Sequence, residues 1–594
     1  MSLLSRLGDF LDDRIGHRKL LAHALEEPIQ GGARWAYVFG SALLGSFLVQ
    51  AVTGVALMTS YAPSDKTAWA SVHYITFTQS GGWLLRGLHH FGAQAMVIVL
   101  GAHLFQVAAF GAYKKPREVT WWLGLALFAI TLGFALTGYL LPWDQKGYWA
   151  TRVATNIAGT IPIVGDATQK LMQGGSEYGS LTLTRFYALH VAVLPALLVA
   201  LAGAHVALFR RHGVTPSAKA DTKRVDPFYP KQLLKDVLAV LAVVVVVFVM
   251  TWREHGAPLD APADPSSDYP ARPEWYFLAL FQLLKYFHGP LEIVGTIVLP
   301  GVLGAYLFAL PLLDRKPGTA LRGRIGPLVP LALIAAGAVG LTVLSQRQDA
   351  SDVAFQKQRV IADERADIAN RIAKEGVPPE GPLALMKRDP SLRGPELFDR
   401  HCAGCHTLGA HGVEKDRTAS KLDGWGTEAW ALAMMHDPDG DDRFGRTAYK
   451  SEMPSVDVAP VTPPAGAPAF KPMPAEDKKA VAAFLASFGG KPADAAAMAR
   501  GKTIVTTRCT SCHLFEGKGD DSDQGLAPEL SGWGSRNWLR AQIANPATKA
   551  TYRDHALEPE RKGHMPRFDA EIHNEDMDLL ASWLLTQVRP AGAK

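Results

Sequence analysis

Apolar residues crowd into the first part of this 594-residue chain. A helix crossing a hydrocarbon core about 30 Å thick needs about 20 apolar residues. Seven runs meet that length: 34–60, 84–110, 119–141, 183–210, 232–252, 291–313 and 326–345. Residues 346–594 are polar, charged and rich in proline and glycine, and their apolar positions at helical spacing (475–487, 575–586) read as ordinary core helices. The pattern predicts an all-α protein, a bundle of seven spans followed by small helical domains. A wholly soluble enzyme and a wholly embedded one are both excluded. The opening MSLLSRLGDFLDDRIGHRKL is charged and amphipathic without the apolar core of a signal peptide, and is expected along the membrane surface.

Charge then orients the chain, because Lys and Arg in loops stay on the cytoplasmic side. The second connection carries Lys114, Lys115 and Arg117, the fourth Arg210, Arg211, Lys219, Lys223, Arg224, Lys231 and Lys235, and the sixth Arg315, Lys316, Arg322 and Arg324. The fifth carries Asp260, Asp264 and Asp268. Even connections and the N-terminus are therefore expected in the cytoplasm, and residues 346–594 outside. A net charge of +5, with no basic run interleaved with aromatics in the polar half, gives no reason to expect nucleic acid.

Ionisable residues inside a bilayer are costly and mark function. The second span holds His89 and His103, fourteen apart, and the fourth His190 and His205, fifteen apart. At about 100° per residue these spacings miss a whole number of turns by only about 40° and 60°, so each pair shares a helix face, with its members about 21–22 Å apart. Two such helices face to face make two bis-histidine sites, one near each surface, and imidazole is an axial ligand of haem iron. Core histidines or a proton relay are the other uses, and the matched pairs favour iron. Gly40 and Gly54 in the first span, and Gly124 and Gly138 in the third, repeat the fourteen-residue spacing. They would let a flat macrocycle approach, although close helix packing uses glycine too. His90 lies on another face and has no assigned role.

All four cysteines lie in the polar half, as CAGCH (Cys402, Cys405, His406) and CTSCH (Cys509, Cys512, His513). C-x-x-C-H is the c-type haem attachment motif: thioethers to the cysteines, iron on the histidine. The motifs belong to a repeat, since LDGWGTEAW at 422–430 returns as LSGWGSRNW at 530–538, an offset of 108. Each copy is followed by Met-Pro, at Met453 and Met565, and a thioether is a fitting sixth ligand. Met473 competes with Met453, and His564 with Met565. Residues 346–390 read as a stalk and linker.

RGLHHFGAQ (86–94), GYLLPWDQKGYW (138–149), LTRFYALH (183–190) and PEWYFLALFQLL (273–284) together resemble the cytochrome b family of bc-type quinol-oxidising complexes over about residues 10–345. The resemblance implies a dihaem domain over 1–225 and a second membrane domain over 226–345. Behind the 346–390 linker come cytochrome c domains at 391–490 and 491–594. It implies two non-covalent b haems, the outer on His89 and His190 and the inner on His103 and His205, beside two covalent c haems. Arg86 and Arg185 resemble the arginines that pair with haem propionates. The fifteen-residue spacing and LTRFYALH are similar to the photosynthetic branch. The cysteine that attaches an extra haem there is matched here by Val38, so that attachment is not expected, and the eighth span of longer family members is not found.

By the same resemblance Glu274 of PEWY takes a proton from quinol at the outer face, as a carboxylate bordering an apolar pocket can. Tyr276, Tyr148 and Trp149 would wall that pocket, and Arg210 would lie near a quinone site on the cytoplasmic side. The expected partners are the quinone pool, a separate Rieske iron–sulfur protein, a soluble cytochrome c or terminal oxidase, membrane lipid, and a second copy in a homodimeric complex. The expected location is a bacterial cytoplasmic membrane, with the c domains periplasmic. A second reading is a haem-bearing anchor that wires an external dehydrogenase to the quinone pool without splitting the electrons.

Overall fold

The computed structural model describes every residue except 1–2, 222, 317, 459–470, 491–493, 520–526, 553–564 and 589–594. His564 lies outside the described residues. The chain divides into two compact units, Met1–Leu383 and Ala384–Lys594.

Among the described residues, seven helices are long and apolar enough to cross a membrane: Phe39–Met58, Gly82–Phe110, Glu118–Leu140, Ser180–His212, Phe228–Arg253, Gly289–Leu313 and Leu321–Ser351. Each overlies one of the seven apolar runs. The first span packs on the second and the third on the fourth; the fifth leans on the first two and the sixth on the third. Amphipathic helices at Leu3–Ile15 and His17–Leu25 precede them. Pro28–Gln30 then pairs antiparallel with Val225–Pro227, tying the N-terminal segment to the fourth connection.

The connections sort by face as their charges predict. Lys114 of the second connection and Arg324 beyond the sixth both contact Asp314, each at 2.8 Å. Burial raises the Asp314 carboxyl, but hydrogen bonds from Lys114, Tyr113 and Arg324 outweigh it and hold it below the usual range. Arg117 donates to the His212 carbonyl at 2.7 Å, so the fourth connection joins the same face. At the other end the fifth connection meets the first and third: Trp69 donates to Asp260 O, and Gln145 N to Ala261 O.

The fourth span departs from a regular α-helix at one place. Leu189–Val193, which includes His190, is a wide i→i+5 turn, and Pro195 two residues on has no N–H to give to Val191. The wide turn absorbs one extra residue. A fifteen-residue spacing then does the work of fourteen, which brings the angle between His190 and His205 to about the 40° of His89 and His103.

In the second unit the helices ahead of the two C-x-x-C-H motifs are Pro390–His401 and Ala495–Arg508, and the closing helices are Ala475–Ser487 and Asn574–Val588. Pro390–His401 packs on Asn574–Val588, and Ala495–Arg508 on Ala475–Ser487. Residues of both repeats share one apolar core, from Leu397 and Phe398 through Met473 and Phe484 to Trp583.

Candidate functional site

The membrane histidines are set by a duplicated arrangement. Gly54 of the first span lies against His89, where a Cβ would stand 3.2 Å from Cε1. Gly138 of the third span lies against His190, where it would stand 2.6 Å from Cε1. Gly124 meets His205 in the same way at 3.3 Å, and Gly40 meets His103 at 3.8 Å. Each glycine thus makes room for a histidine ring rather than only for a flat ligand.

The residue before each outer glycine completes the pattern. Thr53 Oγ1 is 3.0 Å from His89 Nδ1, and Thr137 Oγ1 is 3.0 Å from His190 Nδ1. Both hydroxyls donate back along their own helices, to Val49 O at 2.7 Å and Gly133 O at 2.8 Å. With its proton committed, each threonine oxygen accepts from Nδ1–H, which leaves Nε2 with its lone pair free for a metal. The two rings lie 6.2 Å apart, centre to centre. That matches two metal–nitrogen bonds of about 2 Å plus two ring radii of about 1.1 Å. The pair therefore fits an iron between the rings. At the other end of the helix, His103 Nδ1 is buried without a hydrogen-bond partner. Thr53 and Thr137 were not anticipated from sequence, although the matching Thr-Gly pairs in the first and third spans are visible there.

Glu274 lies at the His89/His190 end. Its Oε1 is 2.8 Å from Lys146 Nζ, and the carboxylate is largely buried. Burial pulls the Lys146 ammonium down, but Glu274, with Asp260 and Asp144, holds it above its ordinary value. Asp144 caps the Gln145–Gly159 helix by accepting from Gly147 N at 2.8 Å. Its carboxyl is pushed up to about 6 by burial and by Asp260. Tyr269 donates to Asp260 at 2.7 Å. Tyr276 is raised by burial and then by Glu274. Tyr148 is buried among Trp143, Trp149 and Tyr178. His90 faces this cluster, within electrostatic reach of Arg86, Glu274 and Lys146. Lys146 stands inside the quoted GYLLPWDQKGYW, yet nothing in the sequence pairs it with Glu274.

The arginines are placed less uniformly. Arg86 is buried and donates to Thr76 Oγ1, Ala257 O and Pro258 O at 3.1, 2.8 and 2.6 Å, which fixes the fifth connection over the second span. Arg185 is exposed and donates to Leu171 O. Arg210 pairs with Glu27 at 2.8 Å on the Lys/Arg-rich face.

In the polar unit His406 Nδ1 lies 2.8 Å from Ser420 O, and His513 Nδ1 lies 2.9 Å from Pro528 O. A carbonyl accepts only from Nδ1–H, so in both neutral rings Nε2 is the nitrogen that carries the lone pair a metal would use. Burial holds His406 below its ordinary value, as a neutral imidazole. No disulfide joins any of the four cysteines, so disulfide pairing does not compete with attachment. Met453 and Met565 are partly buried and Met473 is buried. The donor sets fit haem in both units.

Comparison with known proteins gives concordant matches. The family model described as Cytochrome b(N-terminal)/b6/petB matches residues 94–262, and Cytochrome b(C-terminal)/b6/petD matches 262–362. Cytochrome c matches 391–489 and 498–587. Cytochrome b6 of Synechococcus sp. (strain JA-3-3Ab) is 40% identical over 212 residues, 36% of this chain and 99% of that protein. The cytochrome bc complex cytochrome b subunit of Chlorobaculum thiosulfatiphilum is 35% identical over 313 residues, 51% of this chain and 70% of that one. A solved structure titled hyperthermophilic respiratory Complex III covers 61% of this chain and 97% of its own, with a TM-score of 0.50 and 28% identity.

Proposed function

We propose a function from the premise that the chain belongs to the cytochrome b/b6 family and carries cytochrome c domains behind its membrane part. It is the b/c fusion subunit of a respiratory quinol:cytochrome c reductase. His89 and His190 hold the outer b haem, His103 and His205 the inner one, and the two C-x-x-C-H motifs hold c haems. When bound, the haems supply one-electron carriage, both across the membrane and outward through the polar unit, so that the two electrons of a quinol part and proton translocation is coupled to their parting. A Rieske iron–sulfur protein on another chain takes one electron, because every cysteine here is committed to haem.

The observation that carries the reading is the Glu274–Lys146 pair at the His89/His190 end. Quinol binds beside Tyr276 and Tyr148, and Glu274 turns from Lys146 to accept its hydroxyl proton. Lys146 stays charged and draws the carboxylate back once the proton has left. Arg86 keeps the fifth connection, and with it the pocket roof, over the outer haem site. A quinone reduced at the opposite face would lie near Arg210. The complex is homodimeric, in a bacterial cytoplasmic membrane, with the c domains periplasmic and delivering to a soluble cytochrome c or an oxidase.

Glu274→Gln tests this in the intact complex. Steady-state quinol oxidation should fall about 10²-fold, the ordinary worth of a positioned base, with haem content unchanged. Unaltered turnover would refute the assignment and favour the anchor reading, which has no use for a proton acceptor there.

A further inference from the structure

The cross-packing in the polar unit is systematic. Arg393 and Gly394 of the first leading helix correspond to Arg500 and Gly501 of the second, and Asp477 and Phe484 of the first closing helix to Asp576 and Trp583 of the second. Arg393 pairs with Asp576 at 2.7 Å, and Arg500 with Asp477 at 2.6 Å. A Cβ on Gly394 would press into Trp583, and one on Gly501 into Phe484. Every one of these contacts joins one repeat to the other. The helices Ala475–Ser487 and Ala495–Arg508 are neighbours in sequence, and alone they would be a simple hairpin. The pairing of Pro390–His401 with Asn574–Val588 is not local, and together the two exclude closure of each repeat on itself.

The edges of the haem motifs follow the same rule. His401, next to Cys402, touches Phe568 with ring centres 5.9 Å apart, close beyond Met565. Arg508, next to Cys509, donates to Lys471 O of the first repeat at 2.9 Å. Trp425 stacks on Trp538 at 5.9 Å, and Trp430 on Trp533 at 5.8 Å. The crossing falls at two equivalent Gly-Trp-Gly turns. Gly424, Gly426, Gly532 and Gly534 have φ of 69°, 71°, 67° and 74°, a region that disfavours residues with a Cβ.

The methionines can be matched as well. Val456 N donates to Met435 O, and Phe568 N to Ile543 O and Ala544 O, at equivalent helix ends. Met453 and Met565, each three residues earlier, therefore hold the same place. Met473 is buried in the shared core with its N–H on Val456 O.

We propose that the two cytochrome c repeats exchange halves within the chain, so that each haem lies between one repeat's C-x-x-C-H and the other repeat's methionine: His406 with Met565, His513 with Met453. The ligand pairing rests on the reading of these motifs as haem sites; the exchange does not. Neither repeat is then a separable domain, and both irons sit on one continuous core around the four tryptophans.

Two experiments on the full chain decide it. Cys402→Ser with Cys405→Ser leaves one c haem, at CTSCH. Adding Met453→Leu should abolish its methionine–iron charge-transfer absorption, and adding Met565→Leu should leave it. The reverse pattern overturns the proposal, and loss with Met473→Leu alone overturns the choice of Met453. Because removing a haem can prevent folding, the second arm keeps both haems and reverses charges. Arg393→Asp should lower the thermal midpoint of the polar unit; Asp576→Arg should restore it and Asp477→Arg should not. Rescue by Asp477→Arg instead overturns the exchange. A chain without any c-type absorption would sink the haem reading and leave this second result standing.

Discussion

The four membrane glycines give a graded test. Replacing glycine by alanine inside a helix gains about 0.5–1 kcal/mol in backbone entropy. Forcing an extra methyl into a packed site costs about 1–3 kcal/mol. At Gly40 the new Cβ would stand 3.8 Å from His103 Cε1, an ordinary contact, so only the gain remains. At Gly138 it would stand 2.6 Å from His190 Cε1, and the ring must move. That ring is tethered to the same span by Thr137 and lies against Phe134, so a shift away from Gly138 strains the Thr137 bond to Nδ1 and displaces Nε2 from its place beside His89. The net penalty is about 1–2 kcal/mol, roughly a tenfold loss of affinity for the outer haem. Gly54 and Gly124, at 3.2 and 3.3 Å, fall between. Extractable protohaem per chain, with a redox titration in the α-band, reads the series directly. Gly138→Ala should lose or shift the outer b haem, and Gly40→Ala should keep both. A Gly138→Ala protein with two unshifted b haems, or a Gly40→Ala protein lacking one, would refute the reasoning.

Two other expectations follow from the same face of the molecule. Thr137→Val removes the acceptor that fixes the His190 tautomer, and should weaken outer haem retention about 10- to 100-fold while sparing the inner haem, as seen in haem titration of the apoprotein. Asp144 is raised by folding, so it binds a proton at about pH 5 and has lost it by about pH 7. An infrared carboxylic C=O band should disappear over that interval and be missing in Asp144→Asn. Because the folded value lies above the unfolded one, stability contributed by the neutral form is present below about pH 4 and lost as the pH rises through about 6.

Much of the membrane unit was legible because its information is local and periodic. Apolar length gave seven spans, loop charge gave the face of each connection, and a recurrence near fourteen gave the histidine pairs. What periodicity did not resolve was the fifteen-residue spacing in the fourth span. A helix of uniform pitch leaves His190 and His205 offset by about 60°, and the wide turn at Leu189–Val193 brings that offset to about the 40° of the other pair. Pro195 was the visible clue. The Glu274–Lys146 pair was hidden for another reason: it joins residues 128 apart, and a charge carries no record of its partner.

The polar unit shows the limit more sharply. Its repeat announced two haem motifs and two methionines, and a repeat invites the assumption that each copy closes on itself. Here the copies are alike at their contact points: arginine and glycine on both leading helices, aspartate and an aromatic on both closing helices. Each leading helix can therefore accept either closing helix with nearly the same contacts, and composition alone is indifferent to the choice. Connectivity breaks the tie. Ala475–Ser487 runs into Ala495–Arg508 with few residues between, so that pair closes first at small loop entropy, since closure cost grows with loop length. Pro390–His401 is then left to the last helix of the chain. On this argument, lengthening the 488–494 connection with a flexible insert should weaken the preference for exchange. Charge-reversal rescue of Arg393→Asp by Asp477→Arg should then appear where none occurs in the native chain. Rescue that stays confined to Asp576→Arg would show that the shared core, and not the short connection, dictates the crossing.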